Sequence, residues 1–149
     1  YIIELAQKMN NGELEVEFCA QGILAERIRA GGAGISAILT DIGVGTELAK
    51  NKQIIYYKDG PKLIESALRA DFALLHCAKA DHIGNLVYAA AARNFNPLMA
   101  MAAKKVFVEA EEIVSLGKLA PTQIHTVGSF VDGIVELSEL SGEYDVVRR

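Results

Sequence analysis

Gln21 is the residue whose type and place most directly suggest chemistry. It stands between an alternating stretch that ends near Cys19 and a helical stretch that begins near Gly22. A neutral amide at the C-terminal end of a strand sits where open α/β sheets bind ligands. There it can donate a hydrogen bond to an oxyanion that develops in a transition state. On type and place alone, an ordinary polar side chain at a helix start is the better reading of the same residue. Ten residues on comes Gly31-Gly32-Ala33-Gly34, followed by Gly43-Val44-Gly45-Thr46, so that five of the thirteen glycines fall within sixteen residues. Backbone of this kind turns sharply and brings its N–H groups close to a ligand, or serves a turn and nothing more. The run lacks the Gly-Lys-Ser/Thr ending of a P-loop. It also follows a helix instead of opening one after a strand, which separates it from the dinucleotide fingerprint.

The other reactive residue types form weaker patterns. Glu109, Glu111 and Glu112 flank a strand end. Paired carboxylates do acid–base work, but this spacing reads better as a solvated rim. Arg93, in Arg93-Asn94-Phe95-Asn96-Pro97, suits a phosphate or carboxylate, but a loop or subunit contact is the better reading. His76, His82 and His125 have no metal-ligand spacing, and His76 reads as a core histidine, so no metal site is expected. Cys19 and Cys77 belong to no C-x-x-C pair and are expected as reduced thiols. No Ser-His-Asp or Cys-His arrangement can be assembled.

The elements that position these residues follow from periodicity. Residues 1–12 read as a helix that leaves at Asn11-Gly12. Leu14, Val16 and Phe18 alternate with Glu13, Glu15 and Glu17, the period of a strand with one wet face. A helix over 22–30 places Leu24 and Ile28 on its apolar stripe and Arg27 largely outside, and Gly31 is suited to end it. Residues 53–57 form a short strand, with a turn at Lys58-Asp59-Gly60-Pro61. Phe72 to Cys77 is nearly continuous and predicts a strand buried on both faces. A turn at 81–85 leads to a strand over 86–89. Asn96 as cap and Pro97 at the first position start a helix that runs to about residue 103, with Lys104 and Lys105 at its negative end. A strand over 106–108, extended by Ile113 and Val114, precedes an interruption at Pro121. The polar tail 141–149 is expected to be mobile. Strands alternating with helices predict a mixed, mostly parallel α/β sheet flanked by helices, in a single domain over 1–149.

Composition narrows the class. Half of the 149 residues are apolar (51%) and 23% are charged, as in folded globular chains. A net charge of −4 offers no basic face for nucleic acid. The longest apolar run, 86–92, is too short for a membrane helix. The first residues lack a secretory pattern, and with the unpaired cysteines the expectation is a cytoplasmic protein. Because Tyr1 replaces an initiator Met, further sequence upstream is expected.

Taken in order, the blocks resemble one family. Gln21-Gly22-Ile23-Leu24-Ala25-Glu26-Arg27-Ile28-Arg29-Ala30-Gly31-Gly32-Ala33-Gly34-Ile35 is similar to the alpha subunit of class I coenzyme A transferases. Thr40 with Gly43-Val44-Gly45-Thr46, Arg69-Ala70-Asp71-Phe72-Ala73-Leu74, Lys79-Ala80-Asp81 with Gly84-Asn85-Leu86, and Ala92 to Pro97 continue the match. So do Val108-Glu109-Ala110-Glu111-Glu112-Ile113-Val114 and Gly117-Lys118-Leu119-Ala120-Pro121.

The resemblance implies transfer of coenzyme A from a short-chain acyl-CoA or 3-oxoacyl-CoA, such as acetoacetyl-CoA, to a free acid such as acetate, butyrate or succinate. It implies ping-pong chemistry through a glutamyl thioester. The family's nucleophilic glutamate lies in a Ser-Glu-Asn-Gly motif of the beta subunit, and this sequence has no such motif. No catalytic nucleophile is therefore expected in this chain. A beta subunit is the implied partner, in a hetero-oligomer of alpha–beta pairs, with coenzyme A as substrate and no tightly bound cofactor. By the same resemblance Gln21 is an oxyanion or positioning donor, and Gly31, Gly32, Ala33 and Gly34 are substrate-binding. Two departures stand out. An upstream family segment with a Gly-Gly-Phe motif is missing, and Asp41 replaces the proline common after Thr40. A non-catalytic interaction subunit and a sugar-phosphate isomerase of related architecture remain the alternatives.

Overall fold

The computed structural model describes residues 2–137. The tail expectation for 141–149 lies outside them. Two sheets and three α-helices make up the fold of the described residues. Helix α1 (Ile2–Asn10) is followed by α2 (Gln21–Gly32) and by a three-stranded antiparallel sheet of β1 (Ala37–Thr40), β2 (Ile54–Tyr57) and β3 (Gly60–Ser66), in the order β1-β3-β2. The second sheet contains β4 (Ala70–Asp81), β5 (Leu86–Val87), β6 (Ala103–Val114) and β7 (Gly133–Glu136), in the order β5-β4-β6-β7, and α3 (Asn96–Ala102) precedes β6. The β4–β6 and β6–β7 pairs are parallel, and the β4–β5 pair is antiparallel. The larger sheet is thus mixed and mostly parallel, as the alternation predicts. The chain runs from β4 to β6 through α3, the kind of crossover a parallel pair needs.

The core lies on one face of this sheet. Ala73, Leu75 and Cys77 of β4 and Val106, Val108 and Ala110 of β6 point the same way and pack with Leu86, Tyr88 and Ala100. The opposite face is uncovered among the described residues. Phe72 is 65% exposed and Leu74 77%. The expectation of a strand buried on both faces over 72–77 is therefore wrong. α3 and Tyr88 cover one side, so β4 alternates with period two.

Other elements differ from the expectations for local reasons. Residues 13–20 form no strand, and Phe18 is 64% exposed. Alternation alone makes no strand without a neighbour to complete the hydrogen-bond ladder, and this stretch has none among the described residues. The strand expected over 86–89 stops at Val87, and Ala90 then turns the chain away at φ +44°. Asn96 does not cap α3. Phe95 occupies that position, and the Asn96 amide donates to the His76 carbonyl at 2.9 Å. Lys104 and Lys105 do not sit on a helix end. They open β6, where their ammonium groups reach Asp71 and Asp132 at 2.7 and 2.6 Å.

Candidate functional site

Helix α2 carries the candidate residues at its two ends. Its sequence is rich in Ala and straight-chain residues, and Glu26 and Arg29 pair one turn apart at 2.7 Å. Gln21 is its first residue. It is exposed, and the preceding Ala20 supplies no side-chain cap. The lead-in is irregular rather than a strand, so Gln21 is not at a strand end as expected. Its amide stands at the positive end of a twelve-residue helix, a place that favours developing negative charge.

The lead-in is tied down by one buried cation. Arg27 is 6% exposed, against the expectation that it lies outside. Its Nη1 and Nη2 donate to the two Glu17 carboxylate oxygens at 2.8 and 3.4 Å, and its Nε donates to the Ser66 carbonyl at 2.7 Å. Glu65, also buried, lies 3.9 Å from Nη1 and takes a 2.6 Å bond from Lys52. The Arg27 hydrogen bond holds the Glu17 carboxyl below its usual range. The buried stripe of α2 is accordingly Ile23, Arg27, Ala30 and Gly31, and not Leu24 and Ile28. The signal for this lay in the charge pattern, an acidic run over 13–17 ahead of Arg27, and not in apolar periodicity.

The glycine run divides into two functions. Gly31 and Gly32 remain helical, so Gly31 does not end the helix. A Cβ on Gly31 would collide with the Leu68 carbonyl oxygen, and one on Gly32 would lie 2.6 Å from the Met101 Cβ. These two positions let the chain before β4 and the end of α3 press against α2. Gly34, at φ +75°, closes the helix. Its N–H bonds the Gly31 carbonyl, and the Ile35 N–H bonds that of Ala30. The left-handed residue and the crossed bonds make a Schellman cap. Ala33 and Gly34 are exposed. The run and Gln21 lie at opposite ends of α2, so the helix separates these predicted site residues.

The remaining candidates are ion-paired or structural. His76 is half-exposed on the uncovered face, 3.0 Å from Glu111 and 3.9 Å from Glu109, which corrects its reading as a core histidine. Glu112 pairs with Lys79 at 2.6 Å, and all three glutamates are exposed, as a solvated rim. His125 accepts the Tyr88 N–H on Nδ1 at 2.9 Å, and the two rings stack. Burial, reinforced by Arg93, lowers its pKa. Cys77 is buried, and burial with Glu111 nearby pushes its thiol up to about 12. Asp81 accepts bonds from the Ile83 and Asn85 amides and from Asn85 Nδ2, while Asn85 Oδ1 takes the Gly128 N–H. Asp41 is exposed and lies 3.6 Å from Lys62. No helix among the described residues is long and apolar enough to cross a membrane.

Comparison with known proteins identifies the family. A family model described as coenzyme A transferase matches residues 3–137. A probable coenzyme A transferase subunit alpha of Bacillus subtilis is 52% identical over 87% of this chain and 57% of its own length. The acetate CoA-transferase subunit alpha of Escherichia coli is 43% identical over 91% of this chain and 62% of its own. The chain thus spans somewhat more than half the length of these relatives. A solved variant of the decarboxylase AibA/AibB is 29% identical and superposes with a TM-score of 0.72 over 89% of this chain and half of its own. With the family match spanning nearly all the described residues, the chain belongs to the coenzyme A transferase family.

Proposed function

We propose that these residues are the later part of a coenzyme A transferase alpha subunit, folded as one domain, that acts with a beta subunit in the cytoplasm. The subunit moves coenzyme A between a short-chain acyl-CoA or 3-oxoacyl-CoA and a free carboxylic acid. The observation that carries this reading is the family match over residues 3–137. In the exchange a glutamate carboxylate of the beta subunit attacks the acyl-CoA carbonyl and coenzyme A leaves as thiolate. The thiolate then attacks the glutamyl carbonyl, giving an enzyme thioester and the free acid. A second acid reverses these steps. Covalent catalysis of this kind divides one difficult exchange into easier ones.

This chain contributes a wall of that site. The Gln21 amide, backed by the head of α2, donates to the oxyanion of the attacked carbonyl. Within the run, Ala33 and Gly34 are the positions open to a ligand, and Gly31 and Gly32 keep the helix close enough to β4 and α3 to hold that wall. Gln21→Ala is expected to lower kcat of the assembled enzyme by roughly 10–1000-fold, the scale of losing one oxyanion donor. An unchanged kcat removes Gln21 from the site.

The likeness to a decarboxylase supplies a second reading, since one fold hosts several chemistries. Carbon dioxide release from a carboxylated acyl-CoA, without transfer of coenzyme A, would select it.

A further inference from the structure

We propose that Arg27 is a positioning residue for this site, acting on Gln21 through Glu17. The inference rests on the reading of Gln21 as the oxyanion donor. Arg27 joins three stretches that share no ladder. It sits in α2, grips Glu17 in the irregular lead-in, and holds the Ser66 carbonyl at the end of β3. Its own carbonyl accepts the Leu68 N–H at 2.9 Å, which fastens the chain entering β4. The lead-in has no sheet neighbour among the described residues, and Ala20 gives no cap. Only three residues, Phe18, Cys19 and Ala20, lie between Glu17 and Gln21. The path of the backbone into Gln21 is therefore set by the guanidinium–carboxylate fork, with Lys52 a more distant second cation at 3.8 Å. A planar fork fixes both distance and orientation, which a lysine ammonium does not. Burial makes the tie stiff, because the guanidinium has little other place to go.

Displacing a reacting group by about 1 Å costs on the order of 100-fold in rate. Loosening the fork should therefore reach the chemistry without removing any group that touches substrate. Glu17 is the useful site for a test, because its side chain is 56% exposed and its replacement leaves the core intact. The experiment compares Glu17→Gln, Arg27→Lys, their double variant and Gln21→Ala in the assembled alpha–beta enzyme, with kcat, KM and the thermal midpoint read for each.

The expected result is a kcat loss of roughly tenfold for Glu17→Gln and for Arg27→Lys, with KM within about twofold. The double variant should lose no more than the worse single one, as for two residues acting through one contact. The midpoint of Glu17→Gln should stay close to that of the parent. A Glu17→Gln enzyme with parental kcat, beside a Gln21→Ala enzyme that is slow, overturns the Arg27 inference alone. So does a loss confined to KM or to thermal stability. A Gln21→Ala enzyme with parental kcat overturns the site reading, and the inference falls with it.

Discussion

At the scale of single residues, the glycine run shows how one motif can serve two purposes. Gly31 is excluded from bearing a side chain by the Leu68 carbonyl, whereas Gly34 has open space but a positive φ. The two demands predict different costs. Gly31→Ala forces backbone apart and should destabilise the chain by about 3 kcal/mol, on the scale of overpacking a core. Gly34→Ala meets only the left-handed penalty, about 1 kcal/mol. Denaturant unfolding of both variants checks the order, and equal losses would contradict it.

His125 makes a second residue-scale prediction. Its Nδ1 accepts the Tyr88 N–H, so the imidazole must be neutral there. Its folded pKa lies below the unfolded value, near 6.5, so the unfolded chain binds the extra proton first. The stabilising contribution is complete above about pH 6.5 and is lost as pH falls toward the lower folded pKa. His125→Gln should flatten that part of the stability profile between pH 8 and pH 5. A variant with the parental slope would contradict the account.

Elements were legible from sequence where local signals decide and obscure where distant contacts do. The helical stretch behind Gln21 and the strands at 72–77 and 106–108 are written in propensity and apolar content, whereas β7 (Gly133–Glu136) is not among the expected strands. The 81–85 turn is legible too. Asp81, Gly84 and Asn85 recur in the family resemblance, and the structure supplies the reason in the carboxylate and amide network that joins β4, β5 and the Gly128 backbone. Asp81→Ala should cost about 3 kcal/mol, because it strips charged hydrogen bonds from a buried turn. Unfolding by guanidinium measures it, and a loss under about 1 kcal/mol would sink the structural role given to this turn. Other features could not be read locally. The 72–77 run looks buried on both faces because its exposed residues, Phe72 and Leu74, are themselves apolar. The burial of Arg27 depends on Glu17, Glu65 and Ser66, the last two nearly forty residues away, and no periodicity announces it. The pairing of Gly31 with Leu68 and of Gly32 with Met101 is invisible for the same reason. Of the proposed site, then, the sequence marked Gln21 and the glycines, but not the contacts that hold them in place.

For the whole molecule, family and fold class agree, and the proposed site is one shared with a partner subunit. A parallel sheet usually has both faces covered, yet β4, β6 and β7 present an apolar outer face among the described residues. The relatives are also longer than the matched stretch by about two-fifths of their length. These facts fit a chain that supplies a scaffold and a wall of a shared site, with the nucleophile elsewhere.

The most direct test of that claim follows coenzyme A itself. This chain, alone and then combined with a beta subunit, is incubated with acetoacetyl-CoA, and each polypeptide is weighed by mass spectrometry. Acetate is then added and acetyl-CoA is measured. The account predicts a coenzyme A adduct on the beta subunit only, and acetyl-CoA only from the mixture. An adduct on this chain, or turnover by this chain alone, would contradict it.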